Sequence, residues 1–189
     1  AVARRRCPNG VYVRPRFERY QEISEHVRSL LARFSSIIEP VSLDEAFFDL
    51  SHRSPSFVKA VSTARQVKQQ VQSETGLTCS VGIAPNRFLA KLASEMSKPN
   101  GFLSIDPEQV SSLLDPLSVD RIWGVGEVTA RRLVQMGILR VRDLRLAPPE
   151  LLQREFGAYG SRLQELSMGI DDTPPVSYTH LTLPTKRIV

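Results

Sequence analysis

Two acidic residues stand side by side at positions 44 and 45, inside the stretch PVSLDEAFFDL (40–50). Adjacent carboxylates repel one another, and burying either one without a partner is costly. Bound Mg²⁺ would remove the repulsion, and two such ions about 3.5–4 Å apart stabilise the attacking and leaving oxygens of phosphoryl transfer. Asp44 and Glu45 are therefore candidate metal ligands for phosphoryl-transfer chemistry.

The local pattern leaves two placements for this pair. Ser42 and Glu45 have the spacing of a capping box, which would begin a helix. The following AFFDL (46–50) is instead typical of a strand, and Pro40 interrupts the apolar run before it. We therefore predict two short strands around a turn that carries the acids.

A second candidate stretch is SVGIAPNRFLAKLASEMSKPNG (80–101), which contains three spaced basic residues. Helical spacing places Lys91 and Lys98 two turns apart on one face, with Arg87 one turn before Lys91. Such a row could contact a phosphate backbone or a triphosphate. The alternative for each of these side chains is an ordinary solvated helix face.

The third stretch, IWGVGEVTARRLVQMGILRVRDL (122–144), predicts a helix-hairpin-helix with a G-x-G turn and a closing MGI. Glycine at positions 124 and 126, around Val125, lets backbone N–H groups at the start of the second helix point outward. These groups can bind a DNA phosphate without reading bases. Arg131 and Arg132 in that helix add positive charge. A purely structural helix pair is the alternative.

The surrounding elements predict two regions. Apolar residues recur at helical spacing in 18–34 and 56–73, with strands in 77–84 and 102–105 and a helix after Asn86. This order predicts an α+β fold with helices on one face of a mixed sheet. After about residue 105, short helical segments separated by Gly or Pro replace the strands, so we place a domain boundary there.

Composition narrows the class of protein. The 189 residues carry a net charge of +5, with eight Lys or Arg against four Asp or Glu in residues 1–43. A basic first half suits a polyanionic partner, although a charge this small usually means only a solvated surface. The two cysteines are far apart and lack the spacing of a zinc site, which favours reduced thiols in a cytoplasmic protein. We find neither a signal peptide nor an apolar run long enough to cross a membrane.

Taken in order, the three stretches and FGAYGSRLQELSMGIDD (156–172) resemble the Y-family translesion DNA polymerases, and bacterial members most closely. The likeness covers about residues 1–176. It implies the end of the fingers in 1–17, the palm in 18–105 and an all-α thumb with the helix-hairpin-helix in 106–176. The last thirteen residues, 177–189, fit neither domain and look like a translated sequencing adaptor.

The resemblance also implies roles for individual residues. Asp44 and Glu45 match the paired acids that bind the two catalytic Mg²⁺ ions, for which Mn²⁺ is an alternative. Lys98 matches a lysine that contacts the incoming deoxynucleoside triphosphate. Arg87 and Lys91 match a helix beside primer-template DNA, and Gly124, Val125 and Gly126 match the thumb element that grips the DNA backbone.

The resemblance further implies a bacterial, cytoplasmic, monomeric enzyme that copies damaged DNA with errors. We expect the first palm strand, with the third metal-binding Asp and the steric gate against ribose, to be missing from this chain. The same holds for most of the fingers, the little finger and the region that would bind a sliding clamp. The chain should therefore be inactive alone and bind DNA weakly.

Two other interpretations compete with this one. A non-catalytic helix-hairpin-helix module would keep the DNA contact while its acids played only a structural part. A palm-like nucleotide cyclase would share paired acids on a similar sheet, but it has no use for a hairpin that grips DNA.

Overall fold

The computed structural model describes residues 2–176. The prediction of an adaptor-derived tail in 177–189 lies outside the described residues. The first half contains α1 (Val2–Arg6), α2 (Phe17–Leu31), β1 (Ile38–Pro40), β2 (Ala46–Phe48), α3 (Phe57–Thr75), β3 (Val81–Ile83), α4 (Arg87–Met96) and β4 (Phe102–Ser104). The second half contains α5 (Val110–Leu114), α6 (Glu127–Gln135), α7 (Val141–Leu146), α8 (Pro149–Phe156) and α9 (Ala158–Ser167), with single 3₁₀ turns at Pro107–Gln109 and Val119–Arg121.

The long helix α3 begins and ends where its sequence directs. The Ser56 hydroxyl accepts a hydrogen bond from the Lys59 N–H at the start, and Gly76 ends the helix with a left-handed φ of 71°. Val67 and Val71 are buried against Leu30 and Leu31 of α2. This apolar contact holds α2 and α3 together beside the β1–β2 hairpin.

The four strands form two separate pairs. β1 and β2 are antiparallel with Ile38 opposite Phe48, and β3 and β4 are parallel with Val81 opposite Phe102. The α+β class is confirmed, but the single mixed sheet that the sequence predicts is not formed within residues 2–176. A cavity of about 390 Å³ lies between β2 and β3, so the facing strands do not hydrogen-bond to one another.

Helix α4 packs closely on the parallel pair. A Cβ atom at Gly82 would lie 2.1 Å from the Ala90 carbonyl oxygen, so only glycine lets α4 approach β3 this closely. On its other side α4 buries Phe88, Leu89 and Leu92. Its position is therefore fixed by the strands on one side and by apolar packing on the other.

The largest hydrophobic core crosses the predicted boundary near residue 105. It runs from Phe88 of α4 through Leu133 of α6 to Leu163 of α9, all fully buried. Fully burying a side chain of this size contributes about 1.5–3 kcal/mol. The division into palm and thumb stays a prediction, and the packing joins α4 to the helices that follow it. Among residues 2–176, no helix is both long enough and apolar enough to cross a membrane.

Candidate active site and nucleic-acid interface

The paired acids lie in the turn between β1 and β2. Pro40 pairs with Ala46 across the hairpin, and the Val41 N–H closes the loop by donating to the Glu45 carbonyl oxygen at 2.9 Å. The Ser42 hydroxyl donates to a carboxylate oxygen of exposed Asp44 at 2.6 Å. The predicted strand-turn-strand is confirmed, and no helix follows the Ser42–Glu45 spacing because the chain continues into β2.

An alternating row of charges connects Glu45 to the lysines of the second stretch. The Lys91 ammonium lies between the carboxylates of Glu45 and Glu95, and its distance to a Glu95 oxygen is 3.1 Å. Lys98 binds the same Glu95 oxygen at 2.7 Å. The structure therefore brings one acid of the predicted pair close to both predicted lysines.

Lys98 is not on the helix face that the sequence predicts. Helix α4 ends at Met96, and Lys98 lies in the turn before Pro99. The ring of a proline disfavours helical backbone at the residue before it, which explains why the helix stops early. The prediction of three basic residues on one helical face is wrong for Lys98, although Glu95 still holds Lys98 and Lys91 together.

Two members of this row, Lys91 and Glu95, have pKa values displaced from their ordinary ones. Partial burial acts to lower the pKa of Lys91, but its hydrogen bonds to Glu45 and Glu95 outweigh burial and raise that pKa above its ordinary value. The hydrogen bond from Lys98, followed by that from Lys91, lowers the pKa of Glu95. Lys91 and Glu95 are therefore both charged near neutral pH.

A lysine that sequence analysis did not single out supports the loop of Lys98. The Lys68 ammonium of α3 donates to the Asn100 carbonyl oxygen at 3.0 Å, to the Asn100 side chain and to the Cys79 carbonyl oxygen. Asn100 adopts a left-handed φ of 50°. Lys68 thus fixes the turn 98–101 to α3, and no local sequence pattern predicts a contact over 32 residues.

Arg87 occupies a different environment from Lys91. Its guanidinium donates to Glu39 of β1 at 2.6 Å, and both side chains are only 13% exposed. The predicted contact of Arg87 with DNA stays a prediction, but this guanidinium is already engaged inside the protein. Glu39 was missed because nothing in its immediate sequence marks it as a partner of residue 87.

The glycine hairpin is shorter than the sequence predicts. Its first arm is the single 3₁₀ turn Val119–Arg121, Gly124 turns the chain with a φ of +91°, and Gly126 precedes α6. The opening N–H groups of α6 have no partner within the helix and face outward from its start. Val125 does not fit its predicted role, because its side chain is buried and its N–H donates to Ile122.

The two arginines of α6 differ in their freedom to bind a phosphate. Arg131 is 67% exposed, and its one ion pair within residues 2–176 is an exposed one with Glu127 at 3.2 Å. Arg132 contacts Glu155 of α8 through two nitrogens, one at 3.1 Å. Arg131 is therefore the freer candidate for DNA contact, whereas Arg132 links α6 to α8.

The acid pair suits Mg²⁺ in its chemistry. Carboxylate oxygens are the hard ligands that Mg²⁺ prefers, and Mg²⁺ commonly binds one or two protein carboxylates together with substrate phosphates. Glu45 already binds a cation in the form of the Lys91 ammonium. Within residues 2–176, no group of three or more His, Cys, Asp or Glu side chains is assembled that could hold a metal ion.

Comparison with known families agrees with this arrangement. The sequence model of the impB/mucB/samB family matches residues 1–95, and the helix-hairpin-helix motif of the same family matches residues 107–138. The first match contains the paired acids and the strands β1, β2 and β3, and the second contains the glycine hairpin.

Individual relatives are 40–44% identical to the chain over the residues that align. The DNA polymerase IV of Xanthomonas oryzae pv. oryzae is 44% identical over 172 residues, which are 91% of this chain and 48% of the relative. The DNA polymerase IV of Neisseria meningitidis serogroup A is 40% identical over 174 residues, 92% of this chain and 49% of the relative. The chain thus spans about half the length of the curated relatives it matches.

Solved structures show the same fold. The crystal structure of DinB from Sulfolobus solfataricus superposes with a TM-score of 0.84 at 34% identity, covering 92% of this chain and 52% of that one. An insertion ternary complex of Dbh DNA polymerase gives the same TM-score and identity over 51% of its chain. The predicted resemblance to the Y-family polymerases is confirmed, and the chain belongs to the impB/mucB/samB family.

Proposed function

We propose that the parent protein is a template-directed DNA polymerase of the translesion type, and that this chain supplies its palm and thumb. The observation that supports the proposal is the row of ion pairs Glu45–Lys91–Glu95–Lys98. It connects a proposed metal ligand, Glu45, to the lysine proposed to bind the triphosphate, Lys98. A phosphoryl-transfer site needs carboxylates and a lysine close together, because the acids bind the metal cations and the lysine binds the anionic substrate.

Asp44 and Glu45 would hold divalent cations at the turn of the hairpin. Mg²⁺ bound there supplies positive charge to the reacting phosphate, and Mn²⁺ is an alternative. Lys98 would exchange Glu95 for the triphosphate and neutralise part of the charge on the leaving pyrophosphate. Attack by a primer 3′-hydroxyl on the α-phosphate then depends mainly on positioning and charge stabilisation.

A third metal-binding acid is part of this proposal. The cavity between β2 and β3 is lined by Phe48 on one side and by Gly82 and Ile83 on the other. An extended segment of the parent protein could pair with both facing strands there, which would complete the mixed sheet. An Asp on such a strand would reach the end of the hairpin where Asp44 and Glu45 lie.

The partners follow from the same arrangement. Primer-template DNA would lie against the start of α6, with Gly126 and Arg131 at its backbone. Deoxynucleoside triphosphates are the substrates, and a ternary complex is known for the related Dbh DNA polymerase. Binding of a sliding clamp through other parts of the parent protein, a monomeric state and a cytoplasmic location in a bacterium complete the proposal.

Substitution of the acids in the full-length parent protein tests the proposal. Asp44→Asn and Glu45→Gln should each lower primer extension by more than tenfold, while affinity for DNA stays within twofold. Glu22→Gln, which removes an exposed carboxylate of α2, is the control. Unchanged extension in both acid variants would show that the acids play only a structural part. No extension by the wild-type parent protein, with DNA still bound, would instead support a helix-hairpin-helix module that binds DNA without chemistry.

A further inference from the structure

Arg87 lies where three functional segments meet. It is the first residue of α4, and its guanidinium lies 4.9 Å from the centre of the Phe47 ring and 5.8 Å from the centre of the Trp123 ring. The two rings themselves are 6.0 Å apart at an angle of 52°. A planar cation near two aromatic faces is an attractive arrangement, and a guanidinium suits it better than an ammonium does.

The charge of Arg87 is already neutralised inside the protein. Its ion pair with Glu39 is 13% exposed on both sides, and the other Glu39 oxygen accepts the Val176 N–H at 3.0 Å. The Arg87 Nε is buried and has no hydrogen-bond partner among residues 2–176. Moving this side chain onto a DNA phosphate would leave the Glu39 carboxylate partly buried without its cation, which is unfavourable.

The two aromatic rings belong to the two hairpins of the candidate site. Phe47 follows Glu45 by two residues on β2, and Trp123 immediately precedes Gly124 of the glycine hairpin. We propose that Arg87 is a positioning residue that fixes the hairpin of the paired acids against the glycine hairpin. The Arg87 contact thereby sets where DNA bound at the start of α6 lies relative to Asp44 and Glu45. This part of the proposal rests on the proposed function.

The contact itself can be tested on this chain without DNA. Trp123 is the single tryptophan of the sequence, so its fluorescence reports directly on the Arg87 contact. Arg87→Met should shift the emission maximum and raise the rate of quenching by acrylamide at least twofold. Arg87→Lys should do the same, because an ammonium cannot replace the planar group. Arg154→Met, an exposed arginine of α8, is the control.

Salt dependence separates this proposal from a direct phosphate contact. Each phosphate neutralised by a side chain contributes about one unit to the slope of log affinity against log salt. Arg131→Met should lower that slope by about one, whereas Arg87→Met should weaken DNA binding and leave the slope unchanged. A slope reduced by about one in Arg87→Met, with unaltered Trp123 fluorescence, would overturn the proposal.

A positioning role also predicts a kinetic effect in the full-length parent protein. At saturating DNA and nucleotide, and well below the melting temperature, Arg87→Met and Trp123→Ala should each slow single-turnover insertion about tenfold. The double variant should be no slower than either single one, because both break the same contact. A normal insertion rate in folded Arg87→Met would reduce Arg87 to a structural residue and refute the proposal.

Failure of the Arg87 proposal and failure of the polymerase proposal give different experimental results. If the wild-type parent protein inserts no nucleotide, the polymerase proposal fails, while the fluorescence of Trp123 still decides whether Arg87 joins the two hairpins. Should Arg87→Met fail to fold, Phe47→Leu removes the same contact from the other side and leaves the buried ion pair intact. Unaltered Trp123 fluorescence in Phe47→Leu would count against the proposal.

Discussion

The pair between Lys98 and Glu95 gives a prediction whose size follows from the structure. To bind a triphosphate, Lys98 must first leave the Glu95 oxygen 2.7 Å away. The two side chains are 52% and 39% exposed, so solvent screens the pair and it contributes about 0–1 kcal/mol. Glu95→Gln should therefore lower the Kd of the parent protein for nucleotide by up to about fivefold.

Removing the lysine should have the opposite and larger effect. A hydrogen bond to a charged group is worth about 1.5–3 kcal/mol, so Lys98→Ala should raise the Kd for nucleotide about tenfold to a hundredfold. Loss of the negative charge in Glu95→Gln also reduces repulsion of the triphosphate, which acts in the same direction as release of Lys98. The two substitutions thus have opposite predicted signs.

The assay is single-turnover insertion by the full-length parent protein, with the rate measured against nucleotide concentration to obtain the Kd. Glu22→Gln is a matched control, since Glu22 forms an exposed i,i+3 pair with Arg19 at 2.6 Å on α2. That variant should leave the Kd unchanged. A Kd that rises in Glu95→Gln, or stays constant in Lys98→Ala, would show that Lys98 does not bind the triphosphate.

Two further predictions concern the stability of the 189-residue chain. Phe88→Ala should lower the free energy of unfolding by about 3–5 kcal/mol and shift a single unfolding transition, because fully buried Phe88 shares one core with helices α6 and α9. Two separate transitions would contradict this expectation, and Val58→Ala, at an exposed position of α3, is the control. Burial acts to raise the pKa of Asp171, but hydrogen bonds from Thr173 and Arg162 outweigh it and lower that pKa below 3.8. This contribution to stability is present above pH 3.8 and is lost as pH falls through the lowered pKa. Denaturant unfolding from roughly pH 5 to pH 2 should therefore show a flatter acid dependence in Asp171→Asn than in the control Asp172→Asn.

Local sequence determined most of the elements that carry the site. The side chains of Ser56 and Asn86 cap the starts of α3 and α4, and Gly76 ends α3 through its backbone freedom. Each of these effects involves residues only a few positions apart, so the sequence alone predicts it. The β-forming residues around Asp44 and Glu45 likewise specify the hairpin. Spacing alone could also have indicated Glu95, which stands four residues after Lys91 and three before Lys98.

Tertiary structure decided the partners of the basic residues. Arg87 pairs with Glu39, which lies 48 residues earlier in the chain. Lys68 hydrogen-bonds to Asn100, which lies 32 residues later, and Arg132 pairs with Glu155 on another helix. A basic residue at helical spacing is compatible with any of these fates, because its charge does not specify which acid will be nearby. The pairing of strands into two sheets was equally unpredictable, since strand patterns fix the faces of a strand but not its neighbours.

The sequence by itself therefore determined the family, the acid-bearing turn and the glycine hairpin, because each depends on residues close together in the chain. Only the tertiary structure decided which cations are free to bind a phosphate and which hold the protein together. Arg87 is mostly buried in an ion pair with Glu39, whereas Arg131 is exposed and paired only with its neighbour Glu127 within residues 2–176. The physical reason is that desolvation and Coulomb attraction depend on distances through space, which spacing along the chain does not give.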